Sequence, residues 1–157
     1  MVHRVSLKDV LRTGEFGNVR FGLSEPEILA LLGPPDDVGT TTRKRKRPLL
    51  WKYGEVEFHF DFQTPNLIGI AINFWEERSI PSGGTVIELD PWIIQGGLEW
   101  SELRPWLDAE AIDYRVADPI NLDTTEIAVG PTALLIFNDD KEEFLGLRKI
   151  SLFCKDS

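Results

Sequence analysis

The side chains best suited to chemistry lie at alternate positions of one short segment. They are Glu55, Glu57, His59 and Asp61, and an apolar residue follows each of them. Strict alternation of polar and apolar residues is typical of a β-strand with one buried face, so we expect all four on the other face. Carboxylates and an imidazole in such a row could bind a divalent metal ion or form an acid–base pair.

The same row also fits the solvated face of a half-buried strand. A metal site would need further ligands from other elements, and the chain has only one other histidine, His3. The sequence therefore predicts no metal site and no catalytic residue, and it assigns the row to contact with a partner protein. A metal-binding or hydrolytic domain that uses Glu57, His59 and Asp61 is the alternative.

Signals for other chemistry are weak. The one cysteine, Cys154, allows neither an internal disulfide nor a cysteine-based zinc site. The glycine pairs at 83–84 and 96–97 are not followed by the Lys-Ser/Thr of a phosphate-binding loop. We expect no cofactor and favour a non-enzymatic protein, although acidic pairs can also assemble from distant strands.

Five tryptophans are many for a chain of 157 residues. Trp51 and Trp106 fit buried positions of the predicted elements. Trp75, Trp92 and Trp100 fall near the ends of elements, where they either pack at an edge or act as binding anchors. Aromatic anchors are common at interfaces because they bury a large area at a small entropic cost.

Charge is distributed unevenly along the chain, whose formal net charge is −9. Residues 1–78 contain 11 basic and 11 acidic residues, whereas residues 79–157 contain 6 basic and 15 acidic ones. An acidic protein repels nucleic acid and anionic membranes and attracts basic proteins. The run Arg43–Arg47 is interpreted as a solvated loop; a nucleic-acid patch or weak self-association through the acidic half are its alternatives.

The composition indicates one domain with an ordinary core. Apolar residues make up 42% of the chain, and no apolar run reaches the ~18 residues of a membrane-spanning helix. The first residues carry charges where a secretory signal would be apolar. These features predict a single compact domain over 1–157 in the cytoplasm, with no membrane contact.

Segments of the two halves resemble each other in the same order. Residues 22–32 and 97–107 share glycine, leucine and glutamate positions at a shift of 75. Two further pairs follow at shifts of 76 and 77: Trp51–Gly54 with Ile127–Gly130, and Leu67–Ile70 with Phe144–Leu147. This order predicts two tandem units, 1–78 and 79–157.

Each unit is predicted to begin with a short helix. In the first unit Ser24 and Glu27 have the spacing of a capping box, and Gly33 ends the helix. Its apolar stripe consists of Ile28, Leu31 and Leu32. The second unit has Ser101 as the cap and a stripe of Leu103, Trp106 and Leu107. An N-terminal helix has Ser6 as the cap and Leu7, Val10 and Leu11 as buried residues.

Antiparallel strands are predicted to follow each helix. The expected hairpins join 55–62 with 67–75 and 132–138 with 144–153, and a further strand covers 85–89. The second hairpin is apolar on both faces and is therefore predicted to be central. The fold class is α+β: two tandem units, each a short helix followed by antiparallel strands, which form a sheet with helices on one face.

The first unit resembles a known family. Phe21–Ser24, Ile28–Asp36 and Trp51–Gly54 match the helix and strand motifs of the SmpA/OmlA outer-membrane assembly lipoproteins. A tandem version of that fold is similar to the β-lactamase inhibitor protein. The resemblance covers residues 20–75, and it implies a fold that binds other proteins across its sheet. Outer-membrane assembly is not implied, because the lipid-accepting N-terminal cysteine is missing.

Together these features predict a non-enzymatic binding protein of bacterial type that holds a basic protein partner. Its most specific form is an immunity protein that neutralises a toxin, or an inhibitor. A structural subunit of a homo-oligomer is a further alternative. The predicted partner-binding residues are Glu55, Glu57, His59, Asp61, Trp75, Trp92 and Trp100.

Overall fold

The computed structural model describes residues 2–39, 49–117, 124–139 and 144–154. These residues form an α+β fold, which confirms the predicted class; the run Arg43–Arg47 lies outside them. The helices are α1 (Leu7–Thr13), α2 (Glu25–Leu32) and α3 (Trp100–Ala109). The strands are β1 (His3–Ser6), β2 (Asp37–Gly39), β3 (Leu50–Tyr53), β4 (Val56–Phe60), β5 (Leu67–Asn73), β6 (Ile87–Asp90), β7 (Tyr114–Ala117), β8 (Thr124–Val129), β9 (Ala133–Asn138) and β10 (Gly146–Phe153).

Eight strands form one antiparallel sheet in the order β2-β3-β4-β5-β10-β9-β8-β7. Strands β2 to β5 follow α2 and strands β7 to β10 follow α3, so each of these helices precedes four neighbouring strands. The two groups meet where β5 pairs with β10, with Ile72 opposite Ile150 and Ile70 opposite Leu152. The hairpin β9–β10 therefore lies inside the sheet, as its apolar composition predicts.

A separate parallel pair joins the N-terminus to the middle of the chain. Strand β1 pairs with β6, with Val5 opposite Leu89. The sequence predicted a strand at 85–89. In the structure this strand, Ile87–Asp90, begins two residues later and ends one residue later. Strand β1 was not predicted, because four residues leading directly into a helix carry too little periodicity to identify a strand.

The helices share one face of the eight-stranded sheet. Leu11 of α1, Ile28 of α2 and Leu103 of α3 belong to a single buried cluster with inward-facing strand residues such as Phe58 and Leu135. Side chains at the alternate strand positions are not part of that cluster. Burial of each aliphatic or aromatic side chain contributes roughly 1.5–3 kcal/mol to the stability of the fold. The shared core therefore holds the helices against one face of the sheet.

Two of the predicted helix caps are confirmed. The Ser6 hydroxyl accepts a hydrogen bond from the Asp9 amide, and the Ser24 hydroxyl accepts one from the Glu27 amide. Gly33 ends α2 with a φ of 83°. Only part of the predicted stripe of α2 is buried, however: Ile28 and Leu32 are in the core, whereas Leu31 is exposed.

Helix α3 begins earlier than predicted, and it buries only part of its predicted stripe. Glu99 is its N-cap, in a capping box with Glu102, so Ser101 lies inside the helix and the prediction of a Ser101 cap was wrong. Leu103 and Leu107 are fully buried, but Trp106 is 49% exposed. The core assignment of Trp106 was therefore wrong, because one helical face holds the two leucines and Trp106 lies beside that face.

The strand at 55–62 is shorter than its alternation suggests. Val56, Phe58 and Phe60 face the core, but β4 ends at Phe60 and Phe62 is exposed. A β-bulge shifts the pairing of β4 with β5 between His59 and Phe60. Ile68 of β5 is the extra residue of this bulge, and it is exposed although its position predicts the same side as Ile70.

The motifs that carry the family resemblance contact each other. The Tyr53 hydroxyl donates a hydrogen bond to the Gly33 carbonyl at 2.9 Å, and the Gly54 amide donates one to the Asp36 carboxylate at 2.7 Å. Tyr53 is fully buried. Its burial, reinforced by the nearby Asp36 charge, raises the pKa of Tyr53 to about 12. These contacts join the end of α2 to the β3–β4 turn.

Two glycines with similar backbone conformations should respond differently to alanine. Gly22 (φ 93°) has open space where a Cβ would be, whereas a Cβ on Gly146 (φ 94°) would collide with the Gly97 carbonyl. We expect Gly22→Ala to cost about 1 kcal/mol of unfolding free energy for the left-handed conformation alone. We expect Gly146→Ala to cost about 2–4 kcal/mol, because overpacking adds to that strain. Urea unfolding of both variants checks this, and equal losses would contradict the described contact.

Alkaline unfolding should depend on Tyr53. The unfolded chain loses the phenolic proton near pH 10, whereas the folded chain keeps it to about pH 12, so stability falls across this interval. We expect Tyr53→Phe to lower stability by about 1 kcal/mol at neutral pH, through the lost hydrogen bond, and to lose less stability than wild type between pH 10 and 12. Tyr114→Phe controls for removal of a hydroxyl. An unchanged slope in Tyr53→Phe would contradict the assignment.

Candidate functional site

The face of the eight-stranded sheet opposite the helices, called here the open face, has small residues at its centre. Side chains that point to this face alternate with the core residues along each strand. The central ones are Gly69 and Ala71 of β5 and Ser151 of β10. Ala71 and Ser151 are themselves buried, so the larger side chains around them form most of the accessible surface of this face.

Larger apolar side chains surround this centre. They are Leu50 of β3, Leu134 and Ile136 of β9, and Phe153 at the end of β10. Phe153 is the most exposed of them at 52%, and its cross-strand neighbour is Gly69. An exposed aromatic ring on a central strand is the type of residue that anchors protein interfaces.

Two clefts adjoin Phe153. The first has a volume of about 430 Å³ and is lined by open-face residues of the second strand group, including Arg115, Ala128 and Leu134. The second has a volume of about 660 Å³ and lies beside Ile68 and Asp61, where β5 begins. Phe153 lines both clefts, so the ring stands between them.

The open face carries no net charge at its paired strand positions. Three acidic residues (Asp37, Glu57 and Glu126) and three basic residues (Lys52, Arg115 and Lys149) point to it. Opposite charges are interspersed across the strands instead of forming one acidic patch. The sequence-based prediction that the sheet face and the acidic second half hold a basic partner stays a prediction.

Two of the four predicted row residues interact directly on this face. The His59 Nε2 atom lies 3.4 Å from a Glu57 carboxylate oxygen, and Lys52 Nζ lies 3.9 Å from the other oxygen. The Glu57 side chain is only 16% exposed. Burial lowers the pKa of His59; Glu57 opposes this shift and the Lys149 ammonium adds to it. At neutral pH, therefore, this cluster is a neutral imidazole beside an ion pair.

The other two row residues lie at the ends of the strand. Glu55 precedes β4 in the turn that follows Gly54, and its backbone amide bonds to the Ser82 carbonyl. Asp61 follows β4, where its carboxylate accepts hydrogen bonds from the Gln63 amide and the Thr64 hydroxyl. The row therefore consists of Glu57 and His59 on the strand, while Glu55 and Asp61 belong to turns.

The tryptophans that were predicted as anchors occupy three different places. Trp75 is exposed just beyond β5. Trp100 is half-buried in edge contacts with Tyr114 and Phe137. Trp92 lies on the helix side of the molecule, where its ring is in edge contact with Trp106. The sequence analysis missed Trp106 as a surface residue; the glutamates one turn away on either side were the signal that could have revealed it.

The part of the chain that the structure describes contains no group of three or more His, Cys, Asp or Glu side chains arranged to hold a metal ion. None of its helices combines the length and the hydrophobicity that crossing a bilayer requires.

No family model, curated protein or solved structure matches this chain. The resemblance to the SmpA/OmlA lipoproteins and to the β-lactamase inhibitor protein thus stays a prediction. Inference about function depends on the surfaces of this chain alone, among them the open face, which no described helix covers.

The charge environment of His59 gives a measurable consequence. Replacing Lys149 by methionine removes a cation and should raise the pKa of His59, whereas Glu57→Gln removes a partner of the imidazolium and should lower it. An NMR titration of the two histidine ring signals measures both shifts, with His3 as the internal control. If both variants shifted the His59 pKa in the same direction, the described arrangement would be wrong.

Proposed function

We propose that this chain is a non-enzymatic protein-binding protein that holds a basic protein partner on its open face. The observation that carries the proposal is the combination of an eight-stranded sheet face that no described helix covers with an exposed aromatic, Phe153, between two clefts. Such a surface can match the shape of a partner protein and bury apolar side chains against it. The most specific role is that of an immunity protein or inhibitor, which acts by covering a functional surface of its partner.

The open face supports this role through its mixture of side chains. Interfaces place aromatic anchors in their centre and polar groups around them. Here Phe153 and Leu134 provide the apolar part, while Lys52, Glu57 and Arg115 provide charges of both signs. Charges of both signs favour one partner orientation, because a wrong register brings like charges together.

The overall charge supports a basic partner. The formal net charge of −9 attracts a cationic protein over distances comparable to the Debye length, which is about 8 Å at physiological ionic strength. Attraction of this kind raises the association rate. The charge of the whole molecule therefore raises the association rate, whereas the side chains of the neutral open face select the partner.

The proposal includes the two tandem units, 1–78 and 79–157, joined in one domain in the cytoplasm. The order of elements supports the two tandem units, because one helix and then four strands of the sheet follow residue 24 and again residue 99. The turns between the second and third strands of each group also correspond. Gly54 has a φ of 61° in the first and Gly130 a φ of 62° in the second.

Substitutions on the open face test the proposed function. The purified chain is immobilised, proteins retained from its source cells are identified by mass spectrometry, and the partner is purified for calorimetric titration. We expect one stoichiometric protein of basic net charge. Phe153→Ala should weaken its binding about 30-fold or more, because loss of a central anchor costs about 2 kcal/mol or more. Gly69→Arg should abolish binding, since its side chain would cover the centre of the face.

A control variant separates position from charge. Leu29→Arg adds the same side chain at an exposed position of α2, on the helix side of the sheet. It should bind as wild type does, apart from a small loss of electrostatic attraction. The proposal is wrong if Gly69→Arg and Leu29→Arg bind equally well, or if no basic protein is retained. Circular dichroism of each variant establishes that it is folded.

A further inference from the structure

One side of α3 carries a stripe of glutamates interrupted by an exposed tryptophan. Its members are Glu99, Glu102, Trp106 and Glu110, called here the Trp106 stripe. The spacing of three and four residues puts them on one side of the helix. The stripe borders the buried leucines, so it lies along the junction of α3 with the segment that follows β6.

The structure already places one cation at the end of this stripe. The Lys8 ammonium lies 2.9 Å from a Glu110 carboxylate oxygen and 5.7 Å from the centroid of the Trp92 ring. The Trp92 ring is in edge contact with Trp106, at 6.1 Å between centroids. An ammonium between a carboxylate and an indole face combines an ion pair with a cation–π interaction. This end of the stripe therefore already binds a cation, which is the ammonium group of Lys8 from the same chain.

The other end repeats the same combination towards solvent. Trp106 is 49% exposed, and Glu102 is one turn before it, as Glu110 is one turn after it. Among the described residues neither Glu99 nor Glu102 forms a salt bridge. Their carboxylates do take part in the capping box, which fixes them near the start of the helix.

The basic residue of α3 does not neutralise the stripe. Arg104 lies on the opposite side of the helix, where its Nε donates a hydrogen bond to the Tyr114 hydroxyl at 3.1 Å. That hydroxyl in turn donates to Asp108 at 2.8 Å. Consequently the excess negative charge of α3 is concentrated along the Trp106 stripe and not along the side that faces β7.

We propose that the Trp106 stripe is a second contact site, which binds an arginine- or lysine-bearing segment of the basic partner. This inference rests on the proposed function for the identity of the partner, and charge complementarity selects the occupant. A guanidinium can stack on the exposed Trp106 ring while it pairs with Glu102, as Lys8 does with Trp92 and Glu110. Because the open face carries no net charge, the carboxylates of the stripe are the groups that pair with positive charges of the partner.

A short cationic peptide tests the site without the partner. Hexa-arginine is titrated into the full chain at low salt and followed by tryptophan fluorescence and calorimetry, with hexa-citrulline as the neutral control peptide. We expect saturable binding of hexa-arginine only. Trp106→Leu keeps an apolar contact for Trp92 but should weaken binding about fivefold. Glu102→Gln keeps the capping box and should weaken it about threefold.

A matched charge variant shows whether the effect is local. Glu27→Gln also removes one negative charge from an exposed glutamate near the start of a helix, but from α2 instead of α3. It should change the affinity for hexa-arginine less than twofold. If Glu27→Gln weakens binding as much as Glu102→Gln, or if Trp106→Leu has no effect, the peptide senses net charge alone and the proposed site is wrong.

The two proposals fail in different ways. If Gly69→Arg abolishes partner binding and Trp106→Leu leaves both partner and peptide binding unchanged, the open face stands and the stripe is refuted. If hexa-arginine binds at the stripe and the open-face variants retain the partner at full affinity, the stripe stands and the proposed function of the open face is refuted.

Discussion

The pairing of β5 with β10 is the interaction on which the rest of the structure depends. It brings together strands about 80 residues apart in sequence and turns two four-stranded groups into one sheet. Ile70, Ile72, Ile150 and Leu152 are all buried at this junction. Because the pairing puts the core sides of both groups on the same face, α1, α2 and α3 share one hydrophobic cluster. A group of four strands and one helix would bury too little apolar surface to be more than marginally stable alone, whereas two joined groups bury more.

The same pairing creates the surface to which we assign function. A sheet covered by helices on one side must present its other side to solvent or to a partner. At the junction the outward residues are small, with Ala71 opposite Ser151 and Gly69 opposite Phe153. Phe153 is left standing above a glycine, and clefts form on both sides of it. The candidate site is therefore a direct consequence of how the two strand groups meet.

Local patterns in the sequence predicted the fold class, the central hairpin and two helix caps, because each depends on residues close together in the chain. The candidate site was predicted only in part. Alternation placed Glu57 and His59 correctly on one face, but it could not show that a positive-φ turn at Gly54 precedes the strand or that a bulge interrupts its pairing with β5 after His59. It also could not show that Leu103 and Leu107 alone fill the buried side of α3 and leave Trp106 exposed. The clefts beside Phe153 depend on the register of β5 with β10, which no local pattern encodes.

The family motifs show why resemblance and function are separate questions for this chain. The Gly33 carbonyl holds Tyr53, and Asp36 holds the Gly54 amide, so the motif residues use their polar groups on each other. They stabilise the passage from α2 to the β3–β4 turn, and of the motif residues Lys52 also points to the open face. Other residues that give the open face its character, among them Phe153, Leu134 and Arg115, lie outside those motifs. A shared motif in another chain would thus indicate the same scaffold, whereas the partner would be selected by outward strand positions that are free to differ.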